Sequence, residues 1–529
     1  MSYRLTLTIL TAIALPAASE EQAGSRACQP CHDRIYQSYA VTPMAASSGR
    51  AGTGLIQEKF ENAEFRHDSS GYRYRVRPEG AAYSLELTQG TTVRARRSLP
   101  FFIGSGSIAR SYLFQFDGFL YQSPVAYYTQ QAKWDLAPGY RKYAQPFLTR
   151  PILPGCLQCH ASAVQHRALT QNGYESPPFL EGGVACERCH GPSGAHLAAV
   201  RSNSKTGGVR IVNPARLAPE RRDSICAQCH LTGEVRVTRV GRSAQPFEAG
   251  DRLADHVAVF VRSSATREMK VTSHVENLAQ SACKQASGDR MWCGTCHNPH
   301  AVPRPVERVA WFRSKCLSCH QPESCKTTAN ARKAAGDDCT SCHMPKNAVS
   351  DAEHVVYTDH AIRRRPAVNV AVPIASLTPF GRAEATGRDL GLAYAIVAQR
   401  ENNSEFRSRA FTLLRKFVAT GNPDAEALMY LADLYNRNSD REHAIPLYER
   451  AIRIDPSQLT ASVSLGAIRM EQGQYTEAIR LWKDALSKNP ALLLVRQNLA
   501  IALRKISADA ESDAVLQKVS DFNPTYISP

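Results

Sequence analysis

The chain has 529 residues, enough for several domains, and a formal net charge of +16 at pH 7. Its sixteen cysteines exclude an ordinary cytosolic protein, because thiols at this density belong to oxidising compartments or to metal and cofactor sites. A basic chain also suggests nucleic-acid binding, but a bound cofactor with acidic groups would offset the same excess charge.

The N-terminus predicts export. Arg4 precedes an apolar run from Leu5 to Ala14, and the small residues Ala17 to Ser19 follow it. This order is typical of a cleavable signal peptide, residues 1–19, and the apolar run is too short to span a bilayer. We expect a periplasmic or other extracytoplasmic protein with no integral membrane segment after signal cleavage. An uncleaved N-terminal anchor is the alternative.

Residues 60–135 contain no cysteine and show a period of two. Tyr72, Tyr74 and Val76 alternate with polar residues, and the alternation recurs from Tyr83 to Leu87. This pattern predicts short antiparallel strands. We expect a small β insert in an otherwise helical and loop-rich region.

Seven C-x-x-C-H motifs account for fourteen of the sixteen cysteines, and the last three begin at the evenly spaced positions 293, 316 and 339. The cysteine pairs are Cys28 and Cys31, Cys156 and Cys159, Cys186 and Cys189, Cys226 and Cys229, Cys293 and Cys296, Cys316 and Cys319, and Cys339 and Cys342. The adjoining histidines are His32, His160, His190, His230, His297, His320 and His343.

C-x-x-C-H is the signature of c-type haem attachment, in which two thiols bond the haem vinyl groups and the histidine becomes an axial iron ligand. Zinc sites use two cysteine pairs per metal and need no histidine after each pair, so zinc is excluded. We therefore predict seven c-type haems with iron. Their propionates offset the positive charge, and we expect no nucleic-acid partner.

Each iron has a second axial position, which a distal histidine can fill. The predicted distal ligands are His67, His196, His274, His300, His354 and His360, with His166 and His256 as weaker candidates and Met44 as an alternative for the first haem. His300 lies three residues after His297 and cannot reach the opposite face of the same haem, so it should ligate a neighbouring iron. The same applies to His196, six residues after His190.

These eight histidines could saturate all seven irons, so counting does not require an open iron. If one exists, we expect it among the N-terminal haems. The remaining cysteines, Cys283 and Cys325, are expected to form a disulfide in an oxidising compartment.

The haem motifs define an expected domain at residues 20–362, with porphyrins in its core, followed by a basic, proline-containing linker at residues 363–383. From 384 to 524 the chain repeats. Asp455-Pro456 and its two later counterparts recur every 34 residues, as do Leu431-Ala432 and its counterparts. This is similar to the tetratricopeptide repeat, a helix–turn–helix unit that stacks into an α-solenoid. A fourth, earlier unit begins near Leu390-Gly391, with a longer turn expected near residues 401–404.

Four motif-containing segments resemble the multihaem cytochromes of the nitrite reductase and hydroxylamine oxidoreductase superfamily. They are His190-Gly-Pro-Ser-Gly-Ala-His196, Ser273-His274-Val-Glu276, Cys296-His297-Asn-Pro-His300 and Cys342-His343-Met-Pro-Lys346. The most similar branch is the tetrahaem cytochrome that accepts electrons from hydroxylamine oxidoreductase.

Exported members with fused tetratricopeptide repeats also have counterparts of Gly104–Tyr112 and Thr358–Arg363. The chain departs from the enzymes of the superfamily. It lacks the C-x-x-C-K motif of nitrite reductases and an assignable counterpart of the tyrosine that hydroxylamine oxidoreductases crosslink to haem. It also has Ile108 where relatives often have histidine.

The sequence thus predicts a mainly α protein: a haem-packed domain of short helices, loops and a small β insert, followed by an α-solenoid. We expect it to carry electrons between redox partner proteins through seven haems, with one partner docking on the repeats. The alternative is a haem oxidoreductase that acts on a small nitrogen or sulfur species, of the nitrite or hydroxylamine type, at one open-coordinate haem. No catalytic residue can be assigned for it.

Overall fold

A computed structural model describes residues 22–55, 58–141, 143, 145–203, 211–242, 247–263, 269–364, 376–381 and 384–526. The predicted signal peptide lies outside the described residues, as does most of the predicted linker. In the ranges that are described, no helix has both the length and the apolar character needed to cross a membrane.

The N-terminal region builds two antiparallel sheets. One has the strand order β1-β6-β7-β8-β9 and the other β2-β3-β4-β5. The strands are β1 (Ser48–Arg50), β2 (Glu64–His67), β3 (Tyr72–Glu79), β4 (Ala82–Gln89), β5 (Thr92–Leu99), β6 (Phe101–Ile103), β7 (Ala109–Phe116), β8 (Phe119–Tyr128) and β9 (Lys133–Leu136).

The burial of these strands follows their sequence pattern. In β3 and β4 the alternating tyrosines, valine and leucines are buried and their neighbours are more exposed, as the period of two predicts. All ten residues of β8 are buried, since it pairs with β7 on one side and β9 on the other and both of its faces are covered. The β region is therefore larger than a small insert, and the mainly α prediction is confirmed only in part.

The haem-motif region consists of short helices joined by loops. Its helices are α1 (Gln29–Ala40), α2 (Pro154–His160), α3 (Glu187–His190), α4 (Gly194–Arg201), α5 (Pro219–His230), α6 (His274–Leu278), α7 (Ala282–Ser287), α8 (Cys293–Cys296), α9 (Arg308–Leu317), α10 (Ala329–Ala334) and α11 (Cys339–His343). Three antiparallel strand pairs are interspersed: β10 (Ala161–His166) with β11 (Tyr174–Gly182), β12 (Val235–Thr238) with β13 (Val257–Arg262), and β14 (Lys346–Ala348) with β15 (Val356–Thr358).

Residues 282–354, which carry the last three motifs, are all described, and not one of them is buried. A folded segment of this length normally buries apolar side chains. This stretch therefore has no side-chain core of its own.

The C-terminal region is an array of antiparallel helix pairs, as predicted. Its elements are β16 (Leu377–Pro379), α12 (Gly387–Glu401), α13 (Ser404–Val418), α14 (Ala425–Arg437), α15 (Arg441–Ile454), α16 (Leu459–Glu471), α17 (Tyr475–Lys488), α18 (Leu493–Lys505) and α19 (Asp509–Gln517). Small residues lie where paired helices approach each other. A Cβ on Gly466 would lie 2.5 Å from Nε1 of Trp482.

Two local expectations were wrong. The turn of the first repeat is not longer, because only Asn402 and Asn403 separate α12 from α13, and the extra residues lengthen α12 instead. The predicted linker is not simply a solvated spacer either. Its residues 377–379 form β16, which pairs with β13 and joins the apolar cluster of the first repeat through Leu377.

The two ends of the helix array are fixed to different parts of the chain. At the first helix, Arg388 donates a hydrogen bond of 2.7 Å to the carbonyl oxygen of Thr238 in β12 of the haem-motif region, and Arg239 pairs with Asp389 at 2.5 Å. After the last helix, the ring of Phe522 packs 5.4 Å from the ring of Tyr121 in β8 of the N-terminal sheet. The array therefore connects the haem-motif region to the N-terminal sheet.

Candidate haem-binding site

Each C-x-x-C-H motif forms a single helical turn. The histidine N–H donates to the carbonyl oxygen of the first cysteine, at 3.0 Å from His190 to Cys186 and 2.9 Å from His297 to Cys293. Residues i, i+3 and i+4 of a helix share one face. The local fold therefore turns both thiols and the imidazole of a motif toward the same side, as thioether attachment and axial ligation of one haem require.

All seven motifs face one cavity. Its volume is about 3280 Å³, and its lining includes both cysteines and the histidine of every motif. A site for one drug-sized ligand occupies about 300–1,000 Å³. The cavity is therefore suited to several large cofactors side by side rather than to one small ligand.

Two of the motif histidines are oriented as metal ligands. Nδ1 of His190 lies 2.8 Å from the carbonyl oxygen of Val212, and Nδ1 of His343 lies 3.0 Å from that of Arg363. A carbonyl accepts the Nδ1–H, which fixes the tautomer and leaves Nε2 free to coordinate iron. These two histidines therefore have the orientation that axial ligation of a haem iron would require.

Two distal candidates lie beside motif histidines with their rings nearly parallel. His300 lies against His190 with ring centroids 5.9 Å apart and an interplanar angle of 11°. His360 lies against His297 at 6.2 Å and 28°. Two imidazoles that coordinate opposite sides of one metal at about 2 Å have centroids roughly 6 Å apart. Both pairs have this spacing.

His274 completes a compact histidine cluster. Its ring centroid is 5.1 Å from that of His230 and 4.7 Å from that of His360. Burial, together with the neighbouring histidines, lowers the pKa of His274 to about 3. The imidazole is thus held neutral, which is the form that binds metal.

The remaining candidates divide into two groups. His196 lines the cavity, whereas His67, His166, His256 and His354 do not. His67 lies in β2, with Nδ1 2.7 Å from the hydroxyl of Ser70. Nε2 of His354 is 2.6 Å from a carboxylate oxygen of Asp135. The structure therefore does not bring these two predicted ligands to the motif histidines.

Four of the eight non-motif histidines considered from sequence, all of which are described, thus line the cavity beside seven motif histidines. Three methionines also line it: Met44, Met291 and Met344. Met44 was considered from the sequence. Met291 and Met344 were missed, although each lies close to a motif in the sequence.

Thiols of different motifs touch each other inside the cavity. The neighbouring thiol pairs are Cys28 with Cys186, Cys159 with Cys229, Cys226 with Cys293, and Cys316 with Cys339. If each motif holds one haem, the attachment points of these motif pairs would lie side by side. The spatial order of the motifs also differs from their order in the sequence.

The segment with Ile108 in place of the histidine of relatives also lines the cavity. Its backbone is tied to the second motif, since Gly104 N donates to Ser47 O at 2.8 Å and the Ser47 hydroxyl donates to His160 O at 3.0 Å. Nδ1 of His160 is buried and has no hydrogen-bond partner. The cavity lining therefore includes an apolar side chain on a loop whose backbone is linked to the second motif.

The expected disulfide is absent from the described residues, because Cys283 and Cys325 are both free. Cys283 lies close enough to Cys296 and Cys316 to affect their ionisation. Cys325 instead contacts Thr327 and Arg332. The two thiols have different neighbours, so no S–S bond forms.

Comparison with known proteins indicates c-type cytochromes. The profile of the family described as "Cytochrome c554 and c-prime" matches residues 134–191, which include the second and third motifs. Multiheme cytochrome MtrA of Shewanella baltica (strain OS185) is 25% identical over 173 residues, covering 30% of this chain and 50% of that protein. The chain thus spans half the length of this curated relative. These matches imply c-type haem with iron.

Among solved structures, MamA AMB-1 is 19% identical with a TM-score of 0.23, covering 26% of this chain and 75% of that chain. YrrB, described as a TPR protein with an unusual peptide-binding site, is 15% identical with a TM-score of 0.23, covering 26% of this chain and 70% of that chain.

Proposed function

We propose that this chain is an exported multihaem c-type cytochrome that carries electrons between redox partner proteins through seven covalently bound haems. The observation that carries the proposal is that the cysteines and histidines of all seven motifs line one continuous cavity. Isolated motifs on separate surfaces would suit seven independent sites. A shared cavity instead suits cofactors close enough to exchange electrons.

Within this cavity the chain's own residues have defined roles. The cysteine pairs would anchor the haem edges, and the motif histidines would be the proximal ligands. His274, His300 and His360 are proposed as distal ligands because they lie against motif histidines, and His196 because it lines the same cavity. When bound, each haem supplies a one-electron carrier, and two histidine ligands suit it to outer-sphere electron transfer.

The helix array is proposed as the docking platform for one redox partner. Helical repeats present an extended concave surface used for protein binding. The array is also held at both ends, to the haem-motif region through Arg388 and to the N-terminal sheet through Phe522. A partner bound there would be held at a fixed position relative to the haems.

The test is to produce the chain in a bacterium that matures c-type cytochromes and to weigh the denatured protein. Seven covalently attached haems are expected, and a smaller number would contradict the count. Sub-stoichiometric dithionite should then distribute electrons over several haems rather than reduce one. If electrons stayed on the first haem to accept them, the conduit function would be wrong.

A second candidate function is supported by the shortage of distal histidines. Four line the cavity beside seven motif histidines in the described part of the chain, and Ile108 lies on the loop tied to the second motif. An iron left with one protein ligand could bind a small nitrogen or sulfur species. A high-spin electron paramagnetic resonance signal that shifts on adding nitrite or hydroxylamine would support this reaction, and purely low-spin signals would exclude it.

A further inference from the structure

Arg188 connects three haem motifs. It is an inner residue of the third motif, between Cys186 and Cys189, and its guanidinium Nη2 donates two hydrogen bonds. One, of 2.9 Å, goes to the carbonyl oxygen of Gln158, and the other, also of 2.9 Å, to the side-chain Oε1 of Gln228. Gln158 is an inner residue of the second motif, and Gln228 is an inner residue of the fourth.

The contact with the fourth motif is reciprocal. Nε2 of Gln228 donates to the carbonyl oxygen of Arg188 at 3.2 Å. The backbone of Gln228 is held in turn by Arg236, whose Nη1 donates to the Gln228 carbonyl oxygen at 3.0 Å. Gln228 is buried, with 8% of its surface exposed, so its amide has a single defined orientation. The link between the third and fourth motifs is therefore rigid.

The thiols of these motifs meet around the same point. The thiol of Cys229 in the fourth motif lies beside that of Cys159 in the second, while the thiol of Cys226 lies beside that of Cys293 in the fifth. The guanidinium of Arg188 lies near the thiols of Cys189 and Cys229. The fourth motif therefore lies beside the second, the third and the fifth.

Arg188 carries a positive charge that no carboxylate offsets locally. Among the residues that the structure describes, no Asp or Glu forms an ion pair with it, and its hydrogen-bond acceptors are uncharged. An arginine stays protonated at any relevant pH, and its rigid, planar guanidinium fixes the directions of its N–H bonds, which a lysine ammonium on a flexible stem does less well. Its charge and its geometry can therefore be tested separately.

We propose that Arg188 is the positioning residue of a three-way junction, at which the haems of the second, third and fourth motifs meet before the path continues to the fifth. The proposal rests on the proposed electron-carrying function and deepens it, because it makes the conduit branched rather than linear. With haems bound, one electron would pass at the junction from a ferrous to a neighbouring ferric haem, so that one iron would be oxidised and the other reduced, with no bond formed or broken. The reductant that loads the conduit is a redox protein, or dithionite in the experiment.

The charge of Arg188 should also raise the reduction potentials of these haems. A reduced haem carries one more negative charge than an oxidised one, so a nearby cation stabilises the reduced form. We take a unit positive charge about 10 Å from the haem iron in a medium of effective dielectric constant about 20. Such a charge raises the equilibrium constant for reduction about tenfold or more. A tenfold change corresponds to about 59 mV for one electron.

The experiment compares four variants of the full haem-loaded chain. Arg188→Met removes the charge and both bridges. Arg188→Lys keeps the charge and weakens the bridges. Gln228→Met keeps the charge and removes the side-chain bonds between Arg188 and the fourth motif, together with the bond from Gln228 Nε2 to the carbonyl oxygen of Ile225. Arg201→Met, at the exposed end of α4, removes an equal charge elsewhere and is the matched control.

Haem number is measured first by mass spectrometry, and potentials are then measured by a redox titration followed by electron paramagnetic resonance. Arg188→Met should keep all the haems and lower the equilibrium constant for reduction of two or three of them about tenfold. Arg188→Lys should leave the potentials near wild type but weaken the magnetic coupling between haems, as should Gln228→Met. Arg201→Met should change neither quantity.

The proposal is overturned if Arg188→Met shifts no potential more than Arg201→Met does. It is also overturned if Arg188→Met removes only the haem of the third motif, because Arg188 would then serve its own motif alone. If Arg188→Met fails to fold, the other two variants decide. The proposal is then overturned if the magnetic coupling between haems is unchanged in both Arg188→Lys and Gln228→Met. Failure of the underlying function is distinct, since it appears in the wild-type chain as missing haems or as haems that exchange no electrons.

Discussion

The imidazole rings of His190 and His300 lie nearly parallel, with 11° between their planes and 5.9 Å between their centroids. His300 is only three residues from His297, yet it stacks on the histidine of a motif far away in the sequence. Such a pairing ties the first half of the haem-motif region to the run of three motifs that follows it.

This relationship makes a ligand substitution informative. In His300→Ala, one haem should lose its distal ligand and change from low-spin to high-spin, while the mass still shows the same number of haems. Electron paramagnetic resonance of the oxidised protein measures the change. His443→Ala is the control, because His443 is an exposed residue of the helix array. An unchanged low-spin spectrum in His300→Ala would remove His300 from the ligand set.

The two free thiols give a second prediction. Cys283→Ser and Cys325→Ser, singly or together, should keep every haem, because neither residue belongs to a C-x-x-C-H motif. Cys293→Ser should disturb attachment at its own motif only. Mass spectrometry of the denatured chains counts the haems. A mass two hydrogens lower in the wild-type chain than in the double variant, after correction for the substitutions, would instead indicate a disulfide.

The ion-pair network at the start of the helix array gives a third prediction. Arg388 is 3% exposed and contacts Asp389, Asp424 and Glu426 at 3.0, 2.6 and 2.9 Å. Arg388→Met should cost about 3–5 kcal/mol of unfolding free energy, because it leaves neighbouring carboxylates without their partner.

Urea denaturation measures this cost. Arg453→Met, on the exposed side of α15, is the matched control and should stay within about 0.5 kcal/mol of wild type. If the two variants were equally stable, the buried network would contribute little to fixing the array.

A fourth prediction concerns pH. Burial by itself would raise the pKa of Asp455, but hydrogen bonds from Ser457 and Gln458 outweigh it and lower the pKa below its ordinary value. A carboxylate with a lowered pKa stabilises the fold above about pH 4 and loses that contribution as the pH falls through the folded-state pKa. Asp455→Asn should therefore be less stable than wild type at neutral pH, and the difference should shrink on acidification.

Thermal unfolding between about pH 7 and pH 2 measures this difference. The substitution keeps the turn, because Asn489 occupies the equivalent position of the next repeat and accepts the same kind of bond from Ala491 N at 2.9 Å. Asp513→Asn, at an exposed site, is the control. A difference that stayed constant down to pH 2 would rule out a stabilising charge at Asp455.

Features that depend on local sequence could be predicted. A C-x-x-C-H motif needs one helical turn, and the 34-residue period needs only adjacent helices, so both follow from nearby residues. The alternation in β3 and β4 was visible for the same reason. In contrast, β8 from Phe119 to Tyr128 is apolar on both faces because it lies inside a sheet that is covered on both sides. That burial produces no period of two.

Features that depend on long-range packing could not be predicted. Eight histidines were possible distal ligands from the sequence. In the structure, however, His354 contacts Asp135 and not a motif histidine. Nothing near His354 in the sequence indicates this partner. The proposed role of Arg188 could not be predicted either, because it depends on contacts with Gln158 and Gln228, which lie in other motifs.

The contact between the segment after the last helix and the N-terminal sheets has a consequence for the order of folding. Arg97 in β5 donates to the carbonyl oxygen of Asp521, and 424 positions separate these residues along the chain. Contacts between distant segments form late, since the entropy of closing a long loop must be overcome first. The sheet face that receives Phe522 therefore stays uncovered until the final repeat has formed. Cofactor attachment at the earlier motifs can proceed on a chain that is still partly open.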